Sequence, residues 1–187
     1  MYKRIKNKSG FTLIELLAVI VIMGVLMMVA IPAMTRYIEN AKRDVFADTA
    51  KKYIGAVRYT LLSDGYECVD PTNSSKSVDC GLTDLAPSGK KLVIPANLIE
   101  LENNTEKSPW GKTFDGKIAW IIVENTGTAD TPKYTYYFTG TDASKNGINK
   151  VVEENSISRS VVKKANSTAA ANPCSSSTEC YLVSKLK

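Results

Sequence analysis

The sequence has no histidine among its 187 residues. Histidine is the commonest general base in enzymes and the commonest side chain that binds transition metals. Its absence therefore rules out Ser–His and Cys–His nucleophile pairs. The chain also lacks a glycine-rich phosphate-binding motif and a Gly-x-Ser-x-Gly nucleophile motif. These absences argue against an enzyme, and nothing in the sequence calls for a cofactor or a metal.

Most of the chain lacks a strong excess of either positive or negative charge. The net charge of +5 arises from 24 basic and 19 acidic residues. Four of the basic residues precede position 11, which leaves 20 basic against 19 acidic residues in the remainder. Beyond that point basic residues cluster only in short pairs, at 42–43, 51–52, 90–91 and 163–164. This pattern does not favour a nucleic-acid partner, which would require a clustered basic surface.

Cysteine is present in a small, even number, at Cys68, Cys80, Cys174 and Cys180. None of the spacings matches the Cys-x-x-Cys of zinc or redox sites. In a chain that leaves the cytoplasm, an even count indicates disulfides. Three pairings are possible. We favour Cys68–Cys80 and Cys174–Cys180 because each closes a short polar loop, while a bridge from the C-terminus to the first loop stays open.

One long apolar segment covers residues 11–31, and Glu15 is its only strongly polar residue. As a helix with about 1.5 Å rise per residue, the segment spans roughly 30 Å, the hydrocarbon thickness of a bilayer. A secretory signal peptide would have a shorter apolar core ending at a small-residue cleavage site. The preceding basic residues predict a cytoplasmic N-terminus, with the rest of the chain outside. The basic residues are Lys3, Arg4, Lys6 and Lys8.

Glu15 requires an explanation, because a carboxylate within a membrane span costs several kcal/mol unless it is neutralised or paired. The hexapeptide Gly10–Glu15, GFTLIE, follows a short basic leader and opens the apolar segment. This arrangement resembles the processing motif of type IV prepilins, and the resemblance extends over residues 11–43. It implies that a prepilin peptidase cuts between Gly10 and Phe11 and N-methylates Phe11. It also implies that Glu15 pairs with the new α-amino group of Phe11 on a neighbouring subunit.

The resemblance further implies an α+β fold, in which a long N-terminal helix packs on an antiparallel β-sheet head. A cleaved leader (1–10) would precede the membrane and polymerisation helix (11–31), an amphipathic helix half (32–64) and the globular head (65–187). Pro32 falls where the apolar segment ends. By resemblance it marks a kink or local melting of the helix, and the alternative is a helix end at Ile31.

By the same resemblance, the chain is stored in the cytoplasmic membrane. An assembly platform then polymerises it, with copies of itself and other pilins, into an extracellular filament for adhesion, motility or surface contact. A pseudopilin of a type II secretion or competence apparatus would carry the same N-terminus. The two cysteine pairs favour the pilus subunit. A membrane-tethered binding protein or enzyme is the interpretation from a different class.

Apolar residues recur every three or four positions between residues 34 and 62, which predicts an amphipathic helix that ends near residues 63–65. We expect this stripe to form part of the core beneath a sheet. Its members are Met34, Ile38, Ala41, Val45, Phe46, Ala50, Tyr53, Ile54, Val57 and Leu61.

The remaining sequence predicts a small sheet. Residues 65–90 are rich in turn formers and predict a loop, and Leu98–Leu101 predicts a short helical turn. The sheet is expected to start after the turn at 108–111, with strands at 117–124 and 133–140 forming a hairpin.

The C-terminal region is less regular in pattern. The polar segment 142–147 predicts a plain turn, with calcium as the weaker alternative because Lys145 interrupts the oxygen ligands. Residues 148–162 predict a strand, a short helix or one of each. Tyr181–Val183 predicts an edge strand held by the Cys174–Cys180 loop.

Overall fold

A computed structural model provides the fold and describes residues 10–63, 66–69, 76–85, 89–99, 107–164, 168, 170–174 and 180–186. The side chains at 63, 114–118 and 186 lie outside the description. The chain divides into two compact units, Met1–Asn40 and Ala41–Lys187, and we call the second the head unit.

One long helix, α1, extends over Leu13–Ser63. Its end at Ser63 agrees with the predicted end of the amphipathic half. Seven strands follow among the described residues and form one sheet in the order β2-β1-β7-β3-β4-β5-β6. Together they confirm the predicted α+β fold. The strands are β1 (Tyr66–Val69), β2 (Ser77–Cys80), β3 (Lys91–Pro95), β4 (Phe114–Asn125), β5 (Tyr134–Asp142), β6 (Gly147–Glu153) and β7 (Cys180–Leu186).

The predicted hairpin of strands 117–124 and 133–140 is confirmed as β4 and β5, which pair antiparallel with Ile121 opposite Phe138. β4 extends beyond its predicted bounds at both ends, whereas β5 begins one residue later than predicted and ends two residues later. The segment 148–162 contains one element of each predicted kind, since β6 is followed by short 3₁₀ turns at Glu154–Ser156 and Arg159–Val161. At the predicted helical turn near residue 98, a 3₁₀ turn covers Ala96–Leu98. Residues 100–101 lie outside the described residues.

The prediction of a loop at residues 65–90 was wrong, and so was a sheet that starts after residue 111. β1 and β2 form a short hairpin in the first of these segments, and β3 follows it. Strands of four residues are too short to show a clear alternation of apolar and polar positions. The turn-forming residues between these strands therefore led to the prediction of a loop.

The prediction of an edge strand at Tyr181–Val183 was also wrong, because β7 lies inside the sheet. Its first half pairs parallel with β3, with Leu92 opposite Tyr181, and its second half pairs antiparallel with β1, with Cys68 opposite Val183. β3–β7 is the parallel pair in an otherwise antiparallel sheet. A consecutive Tyr-Leu-Val run suits this place, because Tyr181 and Val183 pack in the core under α1 and Leu182 packs in the cluster on the other face.

The core of the head unit forms between the α1 stripe and one face of the sheet. The ring of Phe46 contacts the ring of Phe138 edge-on, with a centroid distance of 6.3 Å. Its centroid also lies 6.0 Å from the ring centroid of Trp110. The predicted stripe is confirmed for Phe46, Ala50, Tyr53, Ile54, Val57 and Leu61, which are all buried. It is wrong for Met34, Ile38 and Val45, which are 63%, 48% and 53% exposed. The buried stripe therefore begins at Phe46, twelve residues after its predicted start at Met34.

A second, smaller cluster covers the opposite face of the sheet. Strand alternation puts Val93, Trp120 and Ile122 there, where they pack with Ala170 and Cys180. The backbone N–H of Ala170 donates to Thr141 Oγ1 at 3.4 Å. Residues 170–174, which we call the belt, thus cover this face of the sheet.

The segment after β6 is fastened to α1 by two ion pairs. Arg58 and Glu154 are 2.6 Å apart, and the Arg58 guanidinium also lies 4.5 Å from the ring centroid of Tyr136. Arg159 and Asp44 are 3.5 Å apart. Exposed pairs of this kind each contribute at most about 1 kcal/mol. Buried Ile157, which lies between the two pairs in sequence, supplies the apolar part of this attachment.

Asp142 anchors the turn at residues 142–147, where a plain turn was predicted. Its buried carboxylate accepts hydrogen bonds from the Ser108 hydroxyl at 2.6 Å and from the backbone N–H groups of Ser144 and Asn146 at 2.8 and 2.9 Å. The Asn146 side chain donates to both carboxylate oxygens. Lys145 adopts a left-handed φ of 63° to complete the turn. Asp142 therefore joins the 108–111 turn to the β5–β6 connection.

Tyr66 also carries a buried polar group in the head unit. Its hydroxyl has no hydrogen-bond partner within normal length among the described residues. Burial raises the pKa of Tyr66 to about 12, and Tyr136 adds to the increase, whereas the nearby Thr60 hydroxyl lowers it. The hydroxyl is thus tolerated in the core as a neutral group.

We predict that Asp142→Ala lowers the free energy of unfolding by about 3 kcal/mol, because it leaves several buried donors without an acceptor. Urea denaturation of the full chain in detergent micelles measures this change. Ser144→Ala is the matched control, since Ser144 contributes only its backbone N–H to the cluster. The control is expected to stay within about 0.5 kcal/mol of the wild type. Equal losses in both variants would contradict the role of Asp142.

We predict that stability falls as the pH rises from about 10 to about 12, by up to about 2 kcal/mol from Tyr66 alone. In this range the unfolded state releases the Tyr66 proton while the folded state keeps it. Below pH 10 both states are protonated, and the group adds no pH dependence. Tyr66→Phe is expected to remove this part of the decline without loss of stability at pH 7. Tyr59→Phe, at an exposed tyrosine, is the control and should leave the pH profile unchanged.

Candidate functional site

The start of α1 is closed by a reciprocal pair of hydrogen bonds between Thr12 and Glu15. The Glu15 backbone N–H donates to Thr12 Oγ1 at 3.3 Å, and the Thr12 backbone N–H donates to Glu15 Oε2 at 2.8 Å. The Thr12 hydroxyl donates to the same carboxylate oxygen at 2.8 Å. This is a capping box, which satisfies two backbone donors that a helix start leaves open.

Thr12 is a residue whose role the sequence interpretation missed. The signal was present, because Thr-x-x-Glu before an apolar run is the sequence signature of a capping box. Both contacts reach Oε2 of Glu15. They orient the carboxylate at the helix N-terminus, where the helix dipole favours negative charge. Glu15 therefore has a local structural role as well as the predicted contact with a second subunit.

The predicted cleavage position lies just outside the helix. Gly10 and Phe11 precede the first helical residue, Leu13, and both are exposed, with Phe11 at 85%. A Cβ at Gly10 would meet no atom within 4 Å. No described residue covers the Gly10–Phe11 peptide bond. Cleavage at this predicted position would leave the Phe11 α-amino group four residues before Glu15.

The apolar segment 11–31 presents its side chains to the surroundings. Its large apolar residues, from Phe11 to Ile31, are 48–85% exposed. α1 is long and apolar enough in this part to cross a membrane, and none of that window is buried. Exposed apolar surface of this extent marks contact with lipid or with another protein.

Pro32 lies inside α1, and the helix continues through it. Proline has no backbone N–H, so the fourth residue before it loses its usual helical donor. Near this position the Thr35 hydroxyl donates to the carbonyl of Ile31 at 3.0 Å. The kink at Pro32 stays a prediction.

The four cysteines form the predicted pairs in the head unit. Cys68–Cys80 joins β1 to β2, and Cys174–Cys180 joins the end of the belt to the first residue of β7. The Cα–Cα distance is 5.8 Å in both bridges, within the usual range. Within the described part of the chain, acidic, cysteine and histidine side chains form no group of three or more that could hold a metal.

Comparison with known proteins matches the N-terminal segment to one family model and much of the chain to one curated protein. Residues 5–31 match the prokaryotic N-terminal methylation motif. A fimbrial protein of Neisseria meningitidis serogroup A / serotype 4A is 30% identical over 135 residues, covering 66% of this chain and 78% of that protein. No solved structure matches the chain significantly. The motif and the relative agree with the long apolar helix and the α+β head, and the chain therefore belongs to the type IV pilin and pseudopilin family.

Proposed function

We propose that the chain is a structural subunit of a type IV pilus, cut between Gly10 and Phe11 and polymerised through residues 11–31. The exposed apolar surface of α1, which starts directly at the cleavage motif, carries this proposal. The similarity to a fimbrial protein supports a filament that reaches the cell surface. The chain supplies no catalytic chemistry of its own in this function.

Before assembly, the membrane would take up the apolar segment. Each Å² of apolar surface removed from water stabilises this state by about 25 cal/mol. The basic residues before position 11 would hold the N-terminus on the cytoplasmic side. A prepilin peptidase on that side would cut after Gly10 and methylate the nitrogen of Phe11. The head unit would then face outward.

In the filament, the apolar segments of neighbouring copies would replace the lipid. Glu15 would then enter an apolar core, where an unpaired charge is heavily penalised. The Phe11 α-ammonium group of a neighbouring copy can neutralise it. Such a pair sets the register of subunits more than it adds stability. The contact is heterologous and does not close, so it generates a helical polymer.

An assembly platform and its energy source would lift subunits out of the membrane, since this chain has no nucleotide-binding motif. The head units would form the outer surface of the filament, where they act in adhesion, motility or surface contact. A pseudopilin would share the N-terminal chemistry but would form short filaments that stay in the cell envelope. The length and location of the filaments therefore separate these two functions.

Intact-mass spectrometry of the protein from the surface fraction of its host is the first test. We expect a chain that begins at Phe11, heavier by one methyl group and lighter by the hydrogens of two disulfides. Electron microscopy should show filaments outside the cell that contain this chain. A chain that retains residues 1–10, or one cut beyond Ile31, would refute the proposal, and filaments confined to the envelope would favour a pseudopilin.

A pair of variants separates the two roles of Glu15. Glu15→Gln keeps an acceptor for the capping box but removes the charge, whereas Thr12→Ala removes the hydroxyl that caps the Glu15 N–H but keeps the charge. We expect Glu15→Gln to reduce filament yield at least tenfold, because it leaves the Phe11 ammonium group unpaired in the core. Thr12→Ala should cost the helix about 1 kcal/mol and leave most filaments intact.

Quantitative microscopy, with the mature chain measured by immunoblot, provides the readout for both variants. Equal cleavage in the two variants shows that the difference arises at assembly. The reverse order, with Thr12→Ala more harmful than Glu15→Gln, would show that Glu15 acts only through the helix cap.

A further inference from the structure

The sheet of the head unit is joined in the middle by its last strand. β1 and β2 form one part, and β3 to β6 form the other. β7 connects the parts in two steps, since residues 180–182 pair with β3 and residues 183–186 pair with β1. No direct pairing links β1 to β3 among the described strands. Without β7, each part would end in an open strand edge.

The Cys174–Cys180 disulfide holds β7 at its first residue. Cys180 opens β7, and Cys174 ends the belt, which lies over Trp120 and Ile122. The bond therefore ties the start of β7 to the segment that covers the opposite face of the sheet. A short covalent loop of this kind restricts the freedom of the strand once it has detached.

The two disulfides differ in their access to solvent. Cys68 and Cys80 are 0% and 5% exposed, and Cys80 Sγ lies 3.4 Å from the carbonyl oxygen of Tyr66 in the core. In the second bridge Cys180 is buried, but Cys174 is partly exposed. Thiol–disulfide exchange requires a thiolate to reach one sulfur directly. The second bridge therefore offers the better point of attack.

We propose that β7 is a closing strand and that the Cys174–Cys180 bond is its redox-sensitive latch. With the latch open, β7 leaves the space between β1 and β3 more often, while β4 and β5 stay folded on α1. Opening the bond consumes two electrons and two protons, which two molecules of a thiol such as glutathione supply as they are oxidised to one molecule of glutathione disulfide. The head unit is complete only once the seven residues of β7 have been inserted and Cys180 has been oxidised to the disulfide.

One consequence rests on the proposed function. A subunit whose C-terminus has just left the membrane would present an open sheet until its latch forms in an oxidising compartment. Head units without a closed latch would thereby differ from finished ones in their exposed strand edges before they enter a filament.

The test begins with the wild-type full chain in detergent micelles. The protein is equilibrated in graded mixtures of glutathione and glutathione disulfide, and free thiols are trapped by alkylation and located by mass spectrometry. We expect Cys174 and Cys180 to react at a reductant ratio roughly tenfold milder than Cys68 and Cys80 require. Reduction of both bridges together, or of Cys68–Cys80 first, would overturn the proposal.

Hydrogen exchange on the same samples tests the movement of β7. Opening the latch should speed amide exchange in β7 and β3 roughly tenfold or more, while β4 and β5 keep their protection. Unchanged exchange in β7 would show that the bond is not a latch. Equal acceleration in β4 and β5 would show that the whole head unit unfolds and that β7 is not a separate closing strand.

Two double variants serve as matched controls. Cys174→Ser with Cys180→Ser should reproduce the selective exchange of β7 without any reductant. Cys68→Ser with Cys80→Ser should loosen the β1–β2 hairpin and leave the β3–β7 pairing protected. If either variant does not fold, the wild-type titration decides alone. Neither readout depends on leader cleavage or on filaments, so a failure here is distinct from a failure of the proposed pilus function.

Discussion

The apolar surface of α1 has to be removed from water along most of its length. The fold of the head unit and the surroundings that residues 11–31 require both depend on how this surface is covered. In the head unit the sheet supplies the cover, and Ile54 and Val57 are fully buried. In residues 11–31 the described part of the chain supplies no such cover, and the large apolar side chains stay exposed. The first solution is internal and makes a stable fold. The second requires lipid or other subunits, and this requirement links the structure to its function.

The N-terminal motif was predictable because it is local. A basic leader, GFTLIE and a membrane-length run are read along the sequence without knowledge of the fold. The β4–β5 hairpin was predictable for the same reason, since KIAWIIVE and KYTYYFTG are long enough to show strand character. The capping role of Thr12 was equally local. It was overlooked because the charge of Glu15 had already been explained by a contact between subunits.

What sequence reasoning could not provide was the pairing of distant segments. The interior place of β7 depends on its pairing with β1 and β3, which lie about 90 to 120 residues earlier in the chain. The composition of a segment does not indicate such distant partners. The register between paired strands is set by the pattern of burial across the sheet. The exposure of Val45 has a similar origin. Whether residue 45 or 46 faces the core depends on the sheet that meets the helix, and both residues are apolar.

The interior position of the C-terminal strand also determines where foreign sequence can be added to this protein. A tag fused to the end of β7 would follow directly on residues 183–186, which pair with β1, so it would disturb the strand that joins the two parts of the sheet. The β4–β5 connection is different, because residues 128–133 are exposed and join strands that are already paired. Peptides intended for display on a filament surface would be better accommodated in this connection than at the chain terminus.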